Sequence, residues 1–171
     1  MIENTVTLIY FSPTDTTRKI LLEISKGIGI SNPQIIDLTT PFLRSNNDLN
    51  INGDLVVIGV PVYEERVPSI IKPLLERIDR PRRSVVLVAV YGNVGEGIAL
   101  EELSEITKKA GMKVIAAASF VAEHSFSSAY ANVAKGRPDQ DDLEKARHFG
   151  TLIIDKLNKY RNIDYPIIEM K

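Results

Sequence analysis

The chain contains no cysteine in its 171 residues. That excludes disulfides, thiol chemistry and ligation of an iron–sulfur cluster by these residues. It has no excess of either charge: 21 Lys and Arg stand against 22 Asp and Glu, a net charge of −1. Such a balance gives no field suited to nucleic acid, so any phosphate it recognises is expected on a small molecule. Long apolar runs are also missing. The longest, residues 85–91 and 114–119, fall far short of the ~20 residues a membrane helix needs, and no membrane association is expected. No signal-peptide pattern follows Met1, which leads to the expectation of a soluble cytoplasmic protein. Two phosphate motifs are absent as well. Without G-x-x-x-x-G-K-[ST], nucleoside triphosphate hydrolysis is not expected; without G-x-G-x-x-G after the first apolar run, neither is a pyrophosphate cradle.

What is present has the size and composition of one globular domain, with 44% hydrophobic and 25% charged residues. The expected domain covers 1–160, followed by a tail over 161–171. Apolar runs rich in Val, Ile and Ala recur at 6–11, 34–38, 54–61, 84–91 and 113–122. Three of them barely alternate, as strands covered on both faces do. Helical patterns fall between and after them: about 16–27, on an apolar pattern of Ile20, Leu21 and Ile24 that continues to Ile28; 69–78, with Ile70, Ile71, Leu74, Leu75 and Ile78 inward; and 98–110, with Ile98, Leu103, Ile106 and Ala110 inward. Pro73 is expected to disturb the second of these, and Gly111 to end the third. A fourth begins near Asp139 as N-cap and runs through Leu157. The polar stretch 39–53 reads as a surface loop with a short helical turn. In the tail, Tyr165-Pro166-Ile167-Ile168 is apolar enough to dock, with no partner evident.

Strand–helix alternation of this kind predicts an open, mostly parallel α/β sheet, with ligands beyond the C-terminal strand ends where the strand order reverses. The first of those ends carries Ser12-Pro13-Thr14-Asp15-Thr16-Thr17, a hydroxyl cluster that opens a helix. Free N–H groups and the positive end of the helix dipole suit a phosphate monoester there, and the same residues equally suit a plain helix cap. The third strand ends in Pro61-Val62-Tyr63-Glu64-Glu65. The fourth ends in Tyr91-Gly92-Asn93-Val94-Gly95-Glu96-Gly97. Tyr63 and Tyr91 are placed to bracket a planar ring, or else simply pack at strand ends. His124, after the fifth strand, is a candidate proton donor or a residue that hydrogen-bonds its own loop.

Taken together, these loops resemble those of the flavodoxin-like superfamily, and most closely the flavodoxin-like module fused to ferredoxin in some proteins. The resemblance rests on Tyr10, Ser12, Thr14, Thr16 and Thr17, on Gly-Val-Pro-Val-Tyr at 59–63 and on Tyr-Gly-Asn at 91–93. Phe120-Val121-Ala122-Glu123-His124-Ser125 and Ala134-Lys135-Gly136-Arg137-Pro138 resemble further segments of that module. The resemblance implies a three-layer α/β/α sandwich, a five-stranded parallel sheet of order 2-1-3-4-5, and bound FMN. It places the phosphate at Ser12, Pro13, Thr14, Asp15, Thr16 and Thr17. The isoalloxazine falls among Pro61, Val62, Tyr63, Tyr91, Gly92, Asn93, Gly95 and Gly97.

Three departures stand out. Asp15 occupies a position where the family commonly has Gly; at ~6 Å and an effective dielectric of ~20, its charge would oppose each phosphate charge by about 2–3 kcal/mol. Arg18 and Lys19 are within reach to offset it. The Tyr63 loop has no glycine to adopt φ > 0, and Glu64 and Glu65 either face the ring or are solvated. Finally, no cysteine exists for a cluster, so electrons would pass to a separate redox partner protein or a small-molecule acceptor. The expected function is FMN-dependent electron transfer or a small oxidoreductase activity. The alternatives are an NAD(P)H-dependent FMN quinone or flavin reductase, with His124 as catalytic residue, and a flavodoxin-fold binding module that has lost FMN.

Overall fold

The computed structural model describes residues 5–45, 49–78, 81–124 and 133–159, together with the backbone of 168–170. Five apolar runs form strands close to their expected limits: β1 (Val6–Tyr10), β2 (Gln34–Asp37), β3 (Leu55–Pro61), β4 (Ser84–Tyr91) and β5 (Lys113–Val121). A sixth strand, β6 (Ile168–Met170), comes from the stretch read as a tail. All pairs are parallel, in the order β2-β1-β3-β4-β5-β6. The first five strands therefore have the expected order. β6 adds a further edge beside β5.

Two buried clusters lie on opposite faces of the sheet. One face of the strands packs with α1 (Thr16–Ile28) and α5 (Gln140–Lys159), through Ile20, Leu21, Ile24, Phe149 and Ile153. The other packs with α3 (Lys72–Leu75) and α4 (Ala99–Lys109), through Leu74, Leu75, Leu103 and Ile106. This is the three-layer arrangement. A short α2 (Pro41–Ser45) lies within the polar 39–53 stretch, whose residues 46–48 are outside the described ones.

The helix ends follow local rules. After α4, Gly111 takes φ 72 while its N–H donates to the Lys108 carbonyl and that of Met112 to Thr107, a paired closure of the last turn. Before α5, the Asp139 carboxylate accepts from the Asp142 N–H at 3.1 Å. Asp142 in turn accepts from the Asp139 N–H at 3.0 Å, so Asp139 is the N-cap as expected. The 69–78 helix is a correction. Only Lys72–Leu75 is α-helical, because Pro73 has no N–H and its ring would strike the carbonyl four residues back; it is tolerated only in the first turn. Ile70 is consequently exposed rather than inward. Ile98, at the N-cap of α4, is 47% exposed, also against expectation.

The register slips between β4 and β5, from Val85↔Val114 to Val86↔Ala116, which leaves Ile115 as the extra residue. Its carbonyl accepts from the buried Lys156 Nζ at 2.6 Å. A polar group that the ladder abandons is thus satisfied by a helix on the layer above.

Candidate functional site

The strand order reverses between β1 and β3, where β1's chain neighbour β2 lies on one side and β3 on the other. A crevice for ligand is expected above their C-terminal ends. The loop from Phe11 to Thr17 leaves β1 there and enters α1. Its N–H at Ser12 donates to Thr39 Oγ1 at 2.8 Å, tying the loop to the exit of β2. Ser12 Oγ accepts the Arg18 N–H at 3.0 Å and so caps α1 from outside. The N–H groups of Thr16 and Thr17 have no acceptor within the helix. Thr17 is 1% exposed, and its hydroxyl is buried without any hydrogen-bond partner. A buried orphan hydroxyl costs roughly 1–3 kcal/mol. Among the described residues Ser119 Oγ on β5 is another, but that of Thr17 lies at a helix N-terminus above the switch point. Gly59 lets the helix start sit this close: a Cβ there would lie 2.4 Å from Leu21 and 3.0 Å from the Thr17 methyl.

Asp15 is the N-cap of α1 by position, with φ 64 in the left-handed region, and its side chain caps no N–H. Its carboxylate instead pairs with Arg18 at 3.2 Å and Lys19 at 3.9 Å. The charge that would oppose a phosphate is therefore met by two cations on the same helix turn. Thr14 and Thr16 share a hydrogen bond between their hydroxyls at 3.1 Å, and Pro13 and Thr14 face solvent.

The exits of β3 and β4 are joined to one another. Val62 N–H donates to the Val90 carbonyl, and Ile98 N–H to that of Glu65, both at 2.8 Å. Tyr63 and Arg66 exchange two backbone bonds across Glu64 (φ 51) and Glu65 (φ 62), which makes a tight turn of type I′. Left-handed backbone at a glutamate costs about 1–2 kcal/mol, so this turn is held by its surroundings and not by its sequence. Both glutamate side chains are exposed. In the β4 loop the positive φ values fall at Asn93 (59) and Gly97 (54), not at Gly92 or Gly95. Gly97 is also held against the turn, since a Cβ there would come within 2.1 Å of the Glu65 carbonyl oxygen. Gly92 faces His124, whose ring would meet a Cβ at 2.5 Å.

Tyr63 is 44% exposed and stands edge-on to Phe11, with ring centroids 6.4 Å apart at 80°. Partial burial pushes its phenol pKa up. The phenol pKa of Tyr10, the last residue of β1, is raised by burial and by the nearby Asp37 charge. Pro61, Val62, Tyr91, Gly92 and Gly95 are half-buried, and Asn93 and Gly97 exposed. His124 is half-buried, with its N–H on the Val133 carbonyl at 3.2 Å. The hydroxyl-rich Ser125–Tyr130 stretch lies outside the described residues.

Sequence reasoning left out three contributors: Phe11, Thr39 and Glu102. Glu102 on α4 is 7% exposed and accepts from Arg66, Lys72 and the Val67 N–H at the base of the Tyr63 turn. The Arg66 guanidinium, chiefly, holds its carboxyl at about 2, against the opposing effect of burial. One signal was available. Glu102 shares the stripe of Ala99, Leu103 and Ile106, where a charge is out of place unless paired. The clamp borders a cleft of about 330 Å³ lined by Ile98, Glu101, Glu105 and Lys109 among others. Among the described residues, no group of His, Cys, Asp and Glu is placed to hold a metal, and no helix is long and apolar enough to cross a membrane.

No protein-family model matches the sequence, and neither does any curated protein. Solved structures do match. A flavodoxin from the domain Archaea is 15% identical with a TM-score of 0.62, over 90% of this chain and 99% of that one. Oxidised flavodoxin 1 from Bacillus cereus is 16% identical with a TM-score of 0.64, over 88% and 97%. A flavodiiron core from Synechocystis is 17% identical with a TM-score of 0.64; the match covers 92% of this chain but 37% of that one. The fold is flavodoxin-like.

Proposed function

We propose that this protein binds FMN above the C-terminal ends of β1, β3 and β4 and works in electron transfer. The observation that carries the reading is the buried, unpartnered hydroxyl of Thr17 at the N-terminus of α1. It lies beside Ser12 and Thr16 at the switch point of a flavodoxin-like sheet. Ser12, Pro13, Thr14, Asp15, Thr16 and Thr17 would take the phosphate end. Pro61, Val62, Tyr63, Tyr91, Gly92, Asn93, Gly95 and Gly97 would form the walls around the ring. Bound FMN supplies one- and two-electron chemistry that no side chain here can provide. The chain's own part is to bind, orient and shield. Thr17 and the first-turn N–H groups of α1 neutralise the phosphate charge, Arg18 and Lys19 absorb that of Asp15, and the joined loops exclude water from one side of the ring.

The test is a titration of the protein with FMN and with riboflavin, followed by the same on Thr17→Val. Wild type should prefer FMN, and the variant should lose about tenfold of that preference, the worth of one hydrogen bond to a charged group. Without flavin, Thr17→Val should be at least as stable as wild type in denaturant, since it removes an orphan hydroxyl at constant shape. A wild-type protein that takes up neither flavin supports the binding-module reading instead.

The packing of the His124 ring against Gly92 favours a second reading, an NAD(P)H-dependent quinone or flavin reductase in which His124 donates a proton at the rim. Rapid bleaching of bound flavin by NAD(P)H without a partner protein would support it. Bleaching only by a chemical reductant or a redox partner protein would support the carrier.

A further inference from the structure

The Tyr63 turn poses a physical problem. Two consecutive glutamates sit at φ 51 and 62 with no glycine to relieve them, at the tip of a loop whose Tyr63 ring is nearly half exposed. Its two internal backbone bonds close the turn but do not attach it to the body of the protein. Among its attachments, besides the Val62 N–H on the Val90 carbonyl and the Phe11 ring against Tyr63, two bear on the outgoing side of the turn. Ile98 N–H holds the Glu65 carbonyl at 2.8 Å. Beneath, Glu102 uses both oxygens: Oε1 accepts from Arg66 Nε at 3.0 Å, Arg66 Nη2 at 2.5 Å and Lys72 Nζ at 3.4 Å, and Oε2 accepts from the Val67 N–H at 2.9 Å. A buried carboxylate on a rigid helix thus grips the outgoing strand of the turn by one side chain and one backbone amide.

We propose that Glu102 is the positioning residue of the Tyr63 wall, and that by fixing Arg66 and Val67 it sets the affinity for the ring end of the flavin. This rests on the reading of the crevice as an FMN site. Glu102 touches no flavin in that reading and acts only through the turn. The phosphate end is anchored separately, by Ser12 and Thr39 on the other side of β1. An effect that travels through Glu102 should therefore change ring binding and leave phosphate recognition alone.

The chemistry of the clamp suggests the variant. Both carboxylate oxygens are acceptors, whereas a Gln offers one acceptor and one NH2, which must face either Arg66 or the Val67 N–H, donor against donor. Two measurements on Glu102→Gln decide the matter. In the flavin-free protein, amide hydrogen exchange at Arg66 and Val67 should accelerate at least about tenfold, with α1 amides unchanged. In titrations, affinities for FMN and for riboflavin should fall together by about tenfold, with their ratio as in wild type. Arg66→Lys, at an exposed side chain that leaves Glu102 charged, should give a smaller loss of the same kind, because lysine cannot reproduce the fork.

Unchanged exchange at Arg66 and Val67 would overturn the proposal. So would flavin affinities equal to wild type in both variants, even with lowered thermal stability, since Glu102 would then be purely structural. A changed FMN-to-riboflavin ratio would overturn it too, by showing a general loosening. If wild type binds neither flavin, the FMN reading fails by itself, and exchange in the flavin-free protein still decides whether Glu102 positions the turn.

Discussion

At the scale of single residues, the site is shaped by one misfit charge and one misfit hydroxyl. Asp15 holds a left-handed backbone angle that glycine would take without cost, and a carboxylate beside the expected phosphate. Its pairing with Arg18 and Lys19 makes the net local charge positive, so the repulsion is less than the ~2–3 kcal/mol of an isolated pair at ~6 Å. Asp15→Gly should therefore tighten FMN by several-fold, roughly three to ten, as Arg18 and Lys19 are released toward the phosphate. The gain should shrink when the titration is repeated at high salt. An unchanged Kd would mean that the ion pairs already cancel the carboxylate. Thr17 carries the opposite sense: its buried, unpartnered hydroxyl is unfavourable to the empty fold, and under the proposed reading a phosphate acceptor would relieve it.

At the scale of elements, α1 and α5 approach each other closely. Gly27 and Gly150 face each other there, and a Cβ on Gly150 would lie 2.2 Å from the Ile24 carbonyl oxygen and 2.9 Å from the Gly27 Cα. Arg147 reaches across the same pair to Glu23 at 2.6 Å. For Gly150→Ala, helix propensity predicts a gain of about 0.5–1 kcal/mol. Overpacking predicts a loss of about 1–3 kcal/mol or more. The second should win, because the obstacle is backbone and cannot rotate away; thermal unfolding should show a lower Tm. A raised Tm would mean that the two helices separate freely. The shift matters for function because α1 carries Thr17 at its other end.

At the scale of the whole molecule, three buried carboxylates among the described residues tie layers or loops together, and each is held below its usual range. For Glu102 the chief cause is Arg66. For Glu23 and Asp142, burial acts in the opposite direction but is outweighed, by Lys26 and Arg147 in the one and by Arg137 and the Asp139 N–H in the other. A carboxylate whose pKa is lowered by folding binds its proton first in the unfolded chain. Its stabilisation is present above the ordinary pKa and is lost as pH falls through the folded value. For Glu102 that window runs from 4.5 down to about 2. The denaturant midpoint should drop steeply between pH 5 and pH 3, and less steeply in Glu102→Gln, which has no proton to take up. Equal slopes in the two proteins would show that Glu102 is not a source of acid sensitivity.

Strand and helix positions were legible because they depend on local pattern. Unbroken Val and Ile runs give strands buried on both faces, a 3.6-residue stripe gives α1 and α4, Gly111 gives the end of α4 and Asp139 the start of α5. The hydroxyl cluster at 12–17 was legible for the same reason, as residue types at fixed spacing. The sequence by itself determined these elements and, with the resemblance of the loops, the order of the first five strands. Tertiary structure decided what depends on partners far along the chain. β6 is three residues whose pairing exists only because β5 offers an open edge. Ile70 and Ile98 are outside because Pro73 and the Glu65 carbonyl fix where the helices begin. The left-handed Glu64–Glu65 turn runs against its own sequence and is held by Glu102, 36 residues beyond Arg66. Local propensity is a property of neighbours in sequence; a strained loop and the buried charge that restrains it are neighbours only in space.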